Sequence, residues 1–106
     1  MKIGSIIEKL IANELISYYI PDRNIADCDV FFMTSDPDRV SLAGTLVLCT
    51  EDHEADVLDR AGERGAVAYI AEKRTDASLP GIIVSDAYAA ASLLSHYIEK
   101  TDKENY

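Results

Sequence analysis

The sequence has 106 residues, of which 48% are hydrophobic, and a formal net charge of −9 at pH 7. This length suits one domain, which we place at residues 1–100, with a tail or linker at 101–106. Nucleic acid and anionic membranes bind clustered Lys and Arg, whereas here the excess acidic residues are dispersed, so neither is expected as a direct partner. A cytoplasmic location is predicted, because the sequence shows no signal peptide and no apolar stretch of about 20 residues.

The N-terminal part of the chain predicts a helix and then a strand. Ser5 and Glu8 match a capping box, and apolar residues recur at helical spacing, which predicts a helix over residues 5–17. A proline marks a turn or extended segment at 20–24, because proline lacks an N–H group. The apolar run 28–33 then predicts a strand.

The remaining chain alternates between short apolar runs and one-sided helical patterns. Continuous apolar runs are typical of strands that are covered on both faces. The sequence therefore predicts an α/β fold, with a small mainly parallel or mixed sheet flanked by helices. Gly65 stands where a helix would end. In chain order, the predicted elements are strand 44–49, helix 52–64, strand 66–71, strand 81–84 and helix 87–99.

Both cysteines, Cys28 and Cys49, lie in apolar, strand-like runs and form no CxxC pair. This setting predicts buried free thiols and neither a metal site nor a redox site.

The sequence contains no motif for covalent chemistry. It lacks the GxxxxGK[ST] phosphate loop, the GxGxxG dinucleotide fingerprint and the GxSxG nucleophile elbow. We therefore expect no catalytic residues, no metal and no cofactor, and a domain that is no enzyme by itself. It could be part of an ATP-dependent ligase if a P-loop domain follows. The expected partner is a small-molecule ligand, such as a nucleotide or another metabolite.

Two polar loops supply the candidate binding residues. The segment 50–56 is rich in acidic groups; it can stabilise a helix N-terminus, or offer ligands to a divalent metal, but it has no recognised metal-ligand spacing. In the other loop, Arg39 can contact an anion or simply be solvated. Both loops should meet at the carboxyl ends of neighbouring strands, where open α/β sheets bind ligands. The predicted ligand-binding residues are Asp38, Arg39, Thr50 and His53.

Several segments resemble the N-terminal domain of the Mur ligases, the peptidoglycan precursor ligases. The resemblance rests on the runs DRVSLAGTLV at 38–47, RGAVA at 64–68 and LPGIIV at 79–84, and extends over roughly the whole chain. It implies a small α/β unit that holds the uridine-diphosphate end of the substrate without catalysis. The family's Asp-Ser-Arg motif falls on residues 37–39, where Arg39 is the matching residue.

A second resemblance covers part of the same stretch. Asp36-Pro37 and the run GTLVLCT at 44–50 are similar to the N-terminal sensing domain of PucR-type transcription regulators. This alternative implies a ligand-sensing regulatory domain. A third alternative is a protein-interaction module that forms a homodimer, because strand edges in a small sheet can pair.

Overall fold

The computed structural model describes residues 1–19 and 27–100, which form one six-stranded sheet packed against helices. The predicted α/β fold class is confirmed. The predicted turn at 20–24 and the predicted tail at 101–106 lie outside the described residues. The helices are α1 (Ile3–Ala12), α2 (Ala55–Glu63) and α3 (Ala87–Leu94), and the strands are β1 (Ile16–Tyr19), β2 (Phe32–Thr34), β3 (Thr45–Leu48), β4 (Ala66–Ala71), β5 (Gly81–Val84) and β6 (Glu99–Lys100).

The sheet is mainly parallel and has the strand order β1-β5-β4-β3-β2-β6. Only β1, which pairs with β5, is antiparallel to its neighbour among the described strands. The loops that follow β2, β3, β4 and β5 therefore leave the sheet at the same edge. This edge is where ligands bind in open α/β sheets.

Each face of the sheet buries its own apolar cluster. Leu46 and Leu48 of β3 point into the cluster formed with α1 and α3. Val47 of the same strand points into the cluster formed with α2. All of β3 is buried, which agrees with its continuous apolar sequence.

The strand, helix and strand predicted at 44–49, 52–64 and 66–71 are β3, α2 and β4, and the two strands are parallel neighbours. Gly65 follows the end of α2 with a φ of 128°, a conformation that side chains other than glycine rarely adopt. A Cβ atom at this position would lie 2.6 Å from the carbonyl oxygen of Leu42. The predicted helix stop at Gly65 is confirmed.

The first helix differs from its prediction at both ends. Ile3 is already helical, and its N–H donates to the carbonyl oxygen of Cys28 at 3.0 Å, so a tertiary contact replaces the predicted capping box at Ser5. The helix ends at Ala12 rather than near residue 17. Glu14 has a φ of 58°, which turns the chain into the unpredicted strand β1.

The strand predicted at 28–33 is shorter and later than expected. The backbone N–H of Val30 donates to Met1, and Lys2 forms an antiparallel bridge with Asp29, so residues 28–30 pair with the N-terminus rather than with β3. Cys28 is accordingly only partly buried, whereas Cys49 is buried as predicted; neither forms a disulfide.

The last two helices are shorter than predicted. Helix α2 begins at Ala55 rather than at 52. Helix α3 ends at Leu94, whose carbonyl oxygen accepts hydrogen bonds from the N–H groups of both Tyr97 and Ile98. The chain then forms β6, which pairs with β2 instead of continuing the predicted helix. No helix within the described ranges is long and apolar enough to cross a membrane.

Candidate ligand-binding site

A cavity of about 210 Å³ lies at the carboxyl edge of the sheet, between the loops that follow β3 and β4. The two loops approach each other because their strands are parallel neighbours. The cavity is lined by Cys49, Thr50, Glu51, Asp52, His53, Leu58, Ala71, Glu72, Lys73, Arg74 and Thr75.

The loop after β3 contributes its first five residues to the cavity wall. The N–H of Cys49 donates to the carbonyl oxygen of Ile70 at 2.7 Å, which extends the β3–β4 pairing to the cavity. Thr50 and His53 are half-buried, whereas Glu51 and Asp52 are exposed. Thr50 thus offers a hydroxyl and His53 an imidazole to a bound molecule.

Cys49 lies at the cavity wall with its thiol in the protonated form. Burial, with a further contribution from the negative charge of Asp52, raises the pKa of its thiol from 9.0 to about 12. Only the thiolate reacts as a nucleophile, so the protonated thiol acts here as a small apolar group at the cavity wall.

The loop after β4 is attached to the domain at two points. The Glu72 carboxylate accepts a hydrogen bond from the N–H of Ala87, the first residue of α3, at 2.8 Å. The Tyr69 hydroxyl accepts from the N–H of Thr75 at 3.4 Å and lies 3.3 Å from the Thr75 hydroxyl. Lys73 and Arg74 lie between these two attachments and line the cavity.

The structure separates the four predicted binding residues into two pairs. Thr50 and His53 line the cavity, as the position of their loop predicted. Asp38 and Arg39 belong to a short 3₁₀ helix, Pro37–Arg39, and are not part of the cavity wall. The carbonyl oxygen of Asp38 accepts a hydrogen bond from Arg64, at the end of α2. The 3₁₀ helix therefore contacts α2 rather than the loops that form the cavity.

The prediction from the sequence omitted Lys73 and Arg74, the cations of this cavity. Their loop follows a predicted strand, and the rule that selected residues 49–53 applies to it equally.

Within residues 1–19 and 27–100, no group of three or more His, Cys, Asp or Glu side chains could hold a metal ion. The lining of the cavity offers a polar ligand hydroxyl, imidazole, cationic and carboxylate groups.

No protein-family model matches the chain. The chain is, however, similar to curated ligases. Over 91 residues, 69% of this chain, it is 36% identical to the UDP-N-acetylmuramyl-tripeptide synthetase of Bifidobacterium longum, of which it covers 17%. Over 57 residues, 51% of this chain, it is 44% identical to the UDP-N-acetylmuramoyl-L-alanyl-D-glutamate--2,6-diaminopimelate ligase of Listeria monocytogenes, of which it covers 12%.

A further relative supports the same relationship. The UDP-N-acetylmuramyl-tripeptide synthetase of Limosilactobacillus reuteri is 38% identical over 73 residues, which are 67% of this chain and 14% of that protein. The chain thus spans less than a fifth of the length of these relatives. The resemblance to Mur ligases is confirmed over this part of the chain. The resemblance to PucR-type regulators gains no support from these comparisons.

Proposed function

We propose that this chain is a non-catalytic substrate-holding domain of the Mur-ligase type, which binds the uridine-diphosphate end of a muramyl precursor. The observation that carries the proposal is the 36% identity over 91 residues with a UDP-N-acetylmuramyl-tripeptide synthetase. The chain has no phosphate-loop motif for ATP, so the chemical step would belong to another domain.

The cavity between the loops after β3 and β4 is the proposed binding site. Its position at the carboxyl edge of a mainly parallel sheet is typical of nucleotide and metabolite sites. Thr50 and His53 are the proposed hydrogen-bonding groups for the ligand. Asp38 and Arg39 stay candidates for a more distant part of the ligand, and mutagenesis can separate the two pairs.

Titration calorimetry on the 106-residue chain tests this proposal. We expect UDP and UDP-N-acetylmuramoyl-L-alanyl-D-glutamate to bind, and ADP to bind at least tenfold more weakly. His53→Ala should weaken binding by about 1–3 kcal/mol if the imidazole makes a buried hydrogen bond to the ligand. The absence of heat with every uridine compound at millimolar concentration would contradict the proposal.

The variant Arg39→Ala serves as the comparison. An affinity equal to that of the wild type would remove Arg39 from the site and leave the cavity residues as the binding groups. A loss similar to that of His53→Ala would mean that the ligand also contacts the 3₁₀ helix Pro37–Arg39.

A further inference from the structure

Lys73 and Arg74 are adjacent cations in the segment between β4 and β5, and hydrogen bonds attach this segment to the domain on both sides of them. Glu72 attaches one end of residues 72–75 to the N-terminus of α3, and Tyr69, which is fully buried, attaches the other end through Thr75. Lys73 and Arg74 are thus held together at the cavity mouth. The same lining also carries the carboxylates of Glu51, Asp52 and Glu72, so the two cations lie among acidic groups.

The Lys73 ammonium already has an anionic neighbour across the cavity mouth. Its Nζ lies 3.8 Å from the Asp52 carboxylate, and the two side chains are 79% and 82% exposed. Exposed ion pairs of this kind contribute little to stability, because water and salt screen both charges. A ligand with more negative charge can therefore displace the Asp52 carboxylate at small cost.

We propose that Lys73 and Arg74 form an anion subsite for a phosphate or diphosphate group at the cavity mouth, and that Asp52 occupies this subsite when no ligand is bound. The identity of the ligand, a uridine diphosphate compound, rests on the proposed function above. The positions of the charged groups are set by the loops after β3 and β4 and do not depend on the proposed function. The Glu72 carboxylate accepts a hydrogen bond from the N–H of Ala87, which holds one of its oxygens at the N-terminus of α3.

The test compares two variants at the cavity with two matched variants elsewhere. Asp52→Asn and Lys73→Gln each remove one charge of the proposed subsite. Asp29→Asn and Lys2→Gln remove the same charges from another exposed ion pair, in which Lys2 Nζ lies 3.2 Å from Asp29. Calorimetric titrations at low ionic strength use UDP, uridine and inorganic pyrophosphate as probes.

We expect Asp52→Asn to tighten the binding of UDP and pyrophosphate by about twofold to fivefold, the range of an exposed ion pair. Lys73→Gln should weaken both by about fivefold. Neither control variant should change these affinities by more than about 1.5-fold beyond the error of the titration. The affinity for uridine, which carries no phosphate, should be the same in all five proteins.

Two different failures can be distinguished. If UDP and uridine bind to the wild type, but Asp52→Asn and Lys73→Gln behave like the controls, the anion subsite is wrong and the proposed function stands. In the second case, pyrophosphate binds, its affinity changes in Asp52→Asn and Lys73→Gln as expected, and UDP binds no more tightly than pyrophosphate. The anion subsite then stands, and the proposed uridine specificity is wrong. Binding of no probe would overturn both.

Discussion

At the scale of single residues, Cys49 links the core of the domain to the cavity. It directly follows β3, lies in the cluster that α2 covers, and lines the cavity. Its raised pKa results mainly from burial and secondly from the charge of Asp52. Replacing Asp52 by Asn would therefore change the electrostatic environment of both Lys73 and Cys49.

The raised pKa of Cys49 makes the stability of the domain depend on pH. Between its ordinary pKa of 9.0 and its folded-state pKa of about 12, the thiol is protonated in the folded state and ionised in the unfolded state. The folded state then binds more protons, so the free energy of unfolding falls as the pH rises. We expect Cys49 to account for a fall of about 1 kcal/mol between pH 8 and pH 10.

Urea unfolding of the wild type and of Cys49→Ala at both pH values measures this contribution. Tyrosine and lysine side chains also titrate near pH 10, and the difference between the two proteins removes their effect. Cys28→Ala is the matched control, because it removes a thiol that is less buried and should retain the fall due to Cys49. An equal pH dependence of wild type and Cys49→Ala would contradict the assignment.

The residues that line the candidate cavity were predictable where one simple rule applied. Thr50 and His53 follow a strongly apolar strand, and a residue directly after such a strand lies at the carboxyl edge of the sheet. Asp38 and Arg39 were placed by the same rule, but they come several residues after β2, in a 3₁₀ helix that contacts Arg64 at the end of α2. The path of such a connection depends on tertiary packing, which local sequence does not determine.

At the scale of secondary-structure elements, the helix ends show how much a cap depends on its surroundings. The N-cap residue of α3, Asp86, accepts a hydrogen bond from the N–H of Ala89 at 3.0 Å. The N-cap residue of α2, Glu54, makes no such side-chain bond. Two acidic residues at equivalent positions therefore differ in their contribution to helix stability.

We predict that Asp86→Ala lowers the free energy of unfolding by about 1 kcal/mol, because the N–H of Ala89 loses its partner. Glu54→Ala should change it by less than about 0.5 kcal/mol, as expected for a surface substitution that removes no cap bond. Urea unfolding at pH 7 measures both. Losses of equal size in the two variants would show that the Asp86 cap does not stabilise α3.

The sequence patterns located the central strands better than the outer ones. Strands β3, β4 and β5 are buried and flanked by other strands, so their apolar runs are continuous and clear. Strand β1 lies at an edge and directly follows α1, so its residues continued an apparently helical pattern. Strand β6 has only two residues, too few for any periodicity.

At the scale of the whole molecule, the same apolar runs predict that the sheet is covered on both faces. Two adjacent residues of β3 test this architecture, because their side chains are both fully buried but enter different clusters. Leu46 packs with α1 and α3, and Val47 packs with α2. If both clusters are close-packed cores, truncation of either side chain creates a cavity.

Leu46→Ala should lower the free energy of unfolding by about 2–5 kcal/mol, and Val47→Ala by about 2 kcal/mol because fewer methyl groups are lost. Leu42→Ala is the control, since that side chain is 46% exposed and its truncation should cost less than about 0.5 kcal/mol. Urea unfolding of the three variants gives these values. A Val47→Ala protein as stable as Leu42→Ala would mean that the α2 face is not a packed core, and the cavity beside Leu58 of that helix would then lack a rigid wall.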